Sequence, residues 1–167
     1  MSAPSTGFTL PNDQREQYLH FLSKTIPAAL VKIKFETKPH WGKMTAQHMV
    51  EHLQSAMITS TIVTEKTPLP PNKMQTDSRN ALLYSPNEMP RNVQNPAFQF
   101  GLPAYSNATI EDAKAKLQKS IESFMKVRES KPKGIAFNAF LGDLNFDEQL
   151  IFHYKHFKHH FSQFGLL

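Results

Sequence analysis

Residues 145–165 constrain the fold more than any other stretch of this 167-residue chain. They read NFDEQLIFHYKHFKHHFSQFG, with aromatic and aliphatic residues returning at steps of three and four. An α-helix turns that period into one continuous buried face. Asn145 stands three residues before Glu148, which is capping-box spacing, and Gly165 is a usual residue just past a helix end. On a wheel of about 100° per residue, Phe146, Leu150, Tyr154, Phe157, Phe161 and Phe164 share one arc of about 80°. His153, His156 and His160 follow along one edge of that arc. His159 falls among Lys155 and Lys158 on the polar side, and Ile151 is the one apolar residue placed there.

Such a helix must be covered by others. A first helix is expected to start after Pro11-Asn12-Asp13 and run to about Lys24, with Tyr18, Leu19, Phe21, Leu22 and Ile26 on its apolar side and Pro27 stopping it. A second begins at Thr45, a good N-cap, and is expected to reach Thr64. A third follows Asn107 and Thr109, carrying Ile110, Ala113, Leu117, Ile121, Phe124 and Met125. The expected fold is all-α: a four-helix bundle in a single domain over 1–167. A long Pro-rich connection joins helices two and three. It runs from Thr67 to Ser106 and holds seven of the twelve prolines. Loops that long usually serve as a lid or a crossover. Phe98, Phe100, Leu102 and Tyr105 are expected to pin it, and Phe137, Phe140 and Leu141 to bury part of the 131–143 connection. Val31–Phe35 reads as a short extended piece, and Trp41 as a core anchor.

Composition removes several function classes. There is no cysteine, hence no disulfide, thiolate nucleophile, iron–sulfur cluster or zinc-finger sulfur site. That suits a reducing, cytoplasmic setting. The start, MSAPSTGF, lacks the basic and apolar regions of a signal peptide. No run approaches the ~20 apolar residues of a membrane span, so no membrane partner is expected. The net charge of +5 is scattered without a basic stripe, so no nucleic-acid partner is expected. No phosphate-binding Gly loop and no nucleophile elbow occur.

The histidines carry the chemistry. His156 and His160 are four residues apart, which brings two imidazoles to one face of a helix. Helix two has a second pair at that spacing, His48 and His52. His52 lies on the inner arc beside Ala56, whereas His48 lies further round toward Glu51 and Gln54. The best ligand set for one divalent ion is His52, His156 and His160, an arrangement used with zinc, nickel or non-haem iron. Hydrogen-bonded core histidines are the alternative. Gln163 is placed to bond a ligand imidazole, and Glu51 reads as a solvated glutamate. His52 sits early in its helix and His156 and His160 late in theirs. Level ligands therefore favour helices two and four running antiparallel, which requires a crossover that only the 67–106 connection is long enough to make.

The segments PHWGKMTAQHMVEHL and YKHFKHHFSQFG together resemble the DinB-like (YfiT-like) superfamily of metal-dependent four-helix proteins. The match is to the subgroup of unknown function with a WGkM…M-x-x-HL entry to helix two and an H-x-x-HH-x-x-QFG ending. The resemblance implies that His52, His156 and His160 are the metal ligands, with zinc or nickel favoured over iron. It implies a small-molecule substrate such as a low-molecular-weight thiol, with transferase, isomerase or metal-dependent hydrolase activity, and it allows a homodimer. A non-catalytic metal-binding or structural bundle is the other reading. The subgroup usually has His-Pro-x-Phe-Gly before helix four, where this chain has Asn138-Ala139-Phe140-Leu141-Gly142. Asn138, His48, His153 and Gln163 are thus candidates for the shell around the ligands or for a substrate pocket. His159 is expected not to be a ligand: His159→Ala should leave metal content near wild type, measured by elemental analysis. A loss as complete as in His160→Ala would show the helix register to be wrong.

Overall fold

The structure, a computed structural model, describes residues 7–167. The first six residues, on which part of the signal-peptide reading rests, lie outside the described residues. The chain is mostly helical, in the order α1 (Asn12–His20), a π-helical turn (Phe21–Thr25), α2 (Ile26–Leu30), α3 (Ala46–Thr59), α4 (Lys73–Leu82), a 3-10 turn (Pro96–Phe98), α5 (Ile110–Ser130), β1 (Ala136–Asn138), β2 (Gly142–Leu144) and α6 (Phe146–Gln163). No described helix is long and apolar enough to cross a membrane.

Pro27 does not stop the first helix. A proline inside a helix lacks an N–H and crowds the carbonyl four residues back. Here the π-helical turn Phe21–Thr25 immediately precedes it, and the chain stays helical to Leu30. Leu22, Ile26 and Leu30 are buried along this stretch. Val31–Phe35 forms turns, not an extended piece, and Val31 is exposed. The second helix ends at Thr59 and not at Thr64. Residues 58–64 read ITSTIVT, a run rich in β-branched side chains that restrict χ1 in a helix. Thr64 instead pairs with Ile135 as an antiparallel bridge, with N–H···O distances of 3.0 and 2.9 Å.

Contacts fix the helix directions. The start of α3 meets the start of α5, where Gln47 Nε2 donates to Asn107 O at 2.9 Å. Their far ends meet at the Thr64–Ile135 bridge. These two helices, which pack together more extensively than any other pair, therefore run parallel. Along α3 and α6 the order reverses: Trp41 bonds Gln163, His52 bonds His156, and Ser60 bonds His153. They run antiparallel, as the ligand-height argument requires, and the chain between α3 and α5 is the crossover.

That crossover is more ordered than a Pro-rich loop. It contains α4, opened by a capping box between Asn72 and Gln75. Arg79 of α4 is 2% exposed. Its Nε donates to Leu141 O at 2.6 Å, its Nη2 donates to Asp143 O, and Glu148 lies 3.6 Å from Nη1. Tyr84 donates to the same carboxylate. Lys155 Nζ donates to the carbonyls of Leu82, Ser85 and Asn87. The expected aromatic pins do less: Phe100 is 95% exposed, Leu102 and Tyr105 are also exposed, and Phe98 is half-buried.

The 131–143 connection folds as a short antiparallel hairpin, pairing Ala136 with Leu144 and Asn138 with Gly142. Asn138 Oδ1 accepts from the amides of Phe140 and Leu141, at 2.9 and 3.1 Å, and closes the turn. Leu141 is buried, but Phe137 and Phe140 are exposed: Phe137 sits on the strand face turned away from the core, and Phe140 lies in the turn between the strands. Ile151 is buried instead of lying on a polar face, because it packs in the same core cluster as Leu22 and Ile26.

Arg79→Ala is expected to cost about 3–5 kcal/mol of stability, because it strands a buried carboxylate and two carbonyls. Lys73→Ala, which breaks only the exposed pair with Asp77, should leave stability near wild type. Urea denaturation of the two variants checks this contrast; equal costs would contradict the pinning role of Arg79.

Candidate metal centre

Thr45 caps α3, its Oγ1 accepting from His48 N at 3.2 Å, and so sets where the α3 side chains begin. The capping box of Asn145 and Glu148 does the same for α6. At the far end of α6, Gly165 adopts φ +66° and its N–H bonds Ser162 O, while Leu166 N bonds Phe161 O. A Cβ at Gly165 would sit 2.7 Å from the His40 ring.

Between these fixed helices His52, His156 and His160 converge, offering ring nitrogens all within 4.8 Å of one another. His52 Nε2 is 2.9 Å from His156 Nε2. The His52 ring centroid lies 4.8 Å from that of His156 and 5.0 Å from that of His160. Three nitrogens at ~2.1 Å from a tetrahedral ion stand about 3.4 Å apart. Seating an ion requires the widest pair to close by no more than about 1.4 Å and the His52–His156 pair to open by about 0.5 Å, through small χ adjustments.

Burial keeps all three rings in the uncharged form that a metal needs. It pushes His52 down to about 4, with the His159 charge adding to the effect. It pushes His160 down to about 3, with His52 adding. His156 is held well below the usual histidine range by burial and then by its histidine neighbours.

The surrounding residues divide by role. His160 Nδ1 donates to Gln163 Oε1 at 2.8 Å, and Gln163 Nε2 donates to Trp41 O at 2.9 Å. The amide nitrogen is committed to a carbonyl, so the oxygen must face His160. That fixes the Nδ1–H tautomer and frees the His160 Nε2 lone pair. His156 Nδ1 is buried with no partner among the described residues, the least complete element of the set. The donor set therefore fits a divalent ion: three neutral imidazoles, one of them oriented from behind, with no fourth protein ligand among the described residues.

His48 is not in this group. Its Nε2 donates to Pro103 O at 2.7 Å, so its Nδ1 accepts from Thr45 Oγ1, also at 2.7 Å. Tyr105 packs 4.4 Å from its ring and bonds the same threonine. Both ring nitrogens of His48 are used to hold the end of the crossover. His153 is fully buried, with Nε2 2.7 Å from Ser60 Oγ and the Phe124 ring 5.2 Å away. It belongs to the apolar seam below the cluster. Asn138 spends its side-chain oxygen on the hairpin turn. His159 is half-buried and turns to the other side, toward Trp41, whose ring lies 5.9 Å away.

Two expectations change. Glu51 is not simply solvated: burial raises its pKa, but amides of Ser106, Asn107 and Gln47 outweigh this and hold it below the usual range. It ties α3 to the entry of α5. Trp41 is half-buried rather than a core anchor, with the Arg91 guanidinium 3.8 Å over its ring. Arg79 was invisible to periodicity, since a lone arginine on a polar helix carries no burial signal. Phe98, 5.9 Å from the His52 ring, was expected only as a hydrophobic pin.

Comparison with family models, curated proteins and solved structures gives no match.

Burial of these histidines as neutral bases should make metal-free protein acid-labile. His52 and His153 have folded pKa values near 4 and 3, His160 near 3 and His156 well below 6.5, against about 6.5 unfolded. The unfolded chain then binds more protons, so their stabilisation is complete above about pH 6.5 and is lost as pH falls toward 4. Each histidine that stays neutral adds a slope of about 1.4 kcal/mol per pH unit. Urea melts from pH 7 to 4.5 should show a slope of several such increments, reduced by about one in His153→Gln. A flat profile would contradict the burial of these rings as neutral bases.

Proposed function

We propose that this chain is a divalent-metal protein of the DinB-like type, with its main helices arranged as a four-helix bundle and His52, His156 and His160 as ligands. The observation that carries the reading is the convergence of three neutral imidazoles from two antiparallel helices, with Gln163 orienting His160. A three-histidine set leaves a coordination position open, and zinc or nickel is favoured by its imidazole chemistry. With an ion bound, His52, His156 and His160 would hold it, and the chemistry it would supply is Lewis acidity toward a water or thiol. Within this reading the chain's own residues keep the donors neutral, fix the His160 tautomer and place Phe98 beside His52 as an apolar wall. The substrate class is a small molecule, with a low-molecular-weight thiol as the first to test in transfer, isomerisation and hydrolysis assays. A cytoplasmic setting fits the absence of cysteine.

A non-catalytic histidine core is the second reading. The 2.9 Å His52–His156 contact supports it, because that is a direct imidazole hydrogen bond. Asn138 also offers no acid–base group where the resembling subgroup has a histidine, and its side-chain oxygen is committed to the turn. Metal analysis separates the two. Protein purified without an affinity tag and equilibrated with zinc or nickel should hold about one ion per chain. His52→Ala, His156→Ala and His160→Ala should each abolish binding, and Gln163→Ala should weaken it by about 10–100-fold. Retention of the ion in His52→Ala and His156→Ala would leave only the polar-core reading.

A further inference from the structure

A second concavity lies on the face of α6 turned away from the histidine cluster. Ile151, Tyr154, Lys158 and His159 of α6 line it, with none of the three clustered histidines taking part. It has a volume of about 620 Å³, in the range of sites for small organic ligands. Its walls are aromatic. Tyr18 and Tyr154 stack with ring centroids 3.9 Å apart, Phe8 and Tyr84 lie 5.0 Å apart, and Trp41 closes another side.

Its charge is cationic, but most of it is already spent. Lys155 gives its donors to three backbone carbonyls, and Lys158 pairs with Glu88 at 3.0 Å, the one acid in the lining. Arg91 is different. Its guanidinium carbon lies 3.8 Å from the centre of the Trp41 ring, and among the described residues it makes no hydrogen bond or ion pair, acting on Glu88 only at longer range. Stacking uses the face of a guanidinium and leaves its planar fork of donors free, the geometry that matches a carboxylate. An exposed, stacked arginine at the mouth of an aromatic cavity suits a ligand with one anionic end and a flat apolar body.

We propose that this cavity is a second ligand site, for a small aromatic carboxylate whose anion pairs with Arg91 and whose ring packs among Trp41, Tyr18 and Tyr154. None of its lining residues is one of the three clustered histidines, so the site needs no ion there in order to bind. It carries its own reporter, since Trp41 is the only tryptophan in the chain.

The test uses EDTA-dialysed full-length protein, titrated with 2-naphthoate and with its neutral isostere 2-naphthamide. Trp41 emission and calorimetry are both followed. Saturable one-to-one binding of 2-naphthoate is expected, with a change in Trp41 emission and at least tenfold weaker binding of the amide. Arg91→Gln should weaken the acid at least tenfold and leave the amide unchanged. Arg91 is exposed, so this variant should fold, and an unchanged urea midpoint verifies it. Equal affinity for acid and amide, or insensitivity to Arg91→Gln, overturns the proposal. So does an absence of saturable binding to 10 mM, on the order of the weakest specific affinities. Binding lost in His52→Ala but kept in Arg91→Gln would place the ligand at the histidine cluster and overturn it equally.

Discussion

The contact between α3 and α6 is the constraint on which the other features depend. It gathers four imidazoles in one seam, with His153, His156 and His160 buried and His52 half-buried. Buried imidazoles favour the neutral form, and each of these finds a partner for one ring nitrogen, while Nδ1 of His153 and of His156 has none among the described residues. Ser60 serves His153, Gln163 serves His160, and His52 and His156 serve each other. These pairs are satisfied only in the antiparallel register, so the same interactions that place the ligands also select the helix direction. Apolar packing alone would tolerate neighbouring registers; a seam of polar groups does not.

An antiparallel α3–α6 pair has a topological consequence. α5 and α6 are joined by a short hairpin and run opposite ways, so α3 and α5 must run the same way, and a crossover has to span the molecule between them. Such a segment gains little from burying its own apolar residues, and several of them are exposed. Polar anchors hold it: Arg79 on the hairpin carbonyls, Lys155 on the carbonyls after α4, and His48 with Tyr105 at its far end. Each anchor directs a donor from one element to backbone oxygens of another. The backbone of an irregular segment must have its carbonyls satisfied in any case, and these side chains do so while fixing its path.

This explains which parts were legible in the sequence. The long helices could be read because burial on one face leaves a period in the residues, as at Ile110, Ala113, Leu117, Ile121 and Phe124, all buried. The convergence of His52 with His156 and His160 could be read for the same reason, as a helix wheel places ligands as well as core residues. Backbone anchoring leaves no such period. Asn72 and Gln75 have the same capping spacing as Asn145 and Glu148, yet α4 is too polar to show a stripe beside them. Arg79 and Lys155 look like surface residues until their acceptors are known. The hairpin strands have three residues each, too few for alternation to stand out, and Asn138 draws attention as a missing histidine rather than as a turn residue. Ile151 looked misplaced because the wheel assumed one buried face, whereas α6 is covered on more than one side.

The two-sidedness of α6 gives the 41–42 backbone an unusual position. The ring of Trp41 walls the aromatic cavity on one side, and its carbonyl holds Gln163, which orients His160, on the other. Gly42 follows with φ +80°, a conformation open to glycine at little cost. A Cβ there would lie 2.8 Å from Gln163 Nε2, so any larger residue would push away the amide that fixes the His160 tautomer. A glycine is therefore needed twice at this position, once for the turn and once for the approach of Gln163. A displacement of Trp41 by a ligand in the cavity would move its carbonyl with it. Gln163 would then have to follow or lose a buried hydrogen bond at a cost of about 1–3 kcal/mol. Coupling of that size corresponds to roughly a 5- to 150-fold change in affinity, and it must act equally in both directions. The side chain joining the two faces of α6 is thus one amide, held by the backbone of the residue whose ring lines the far side.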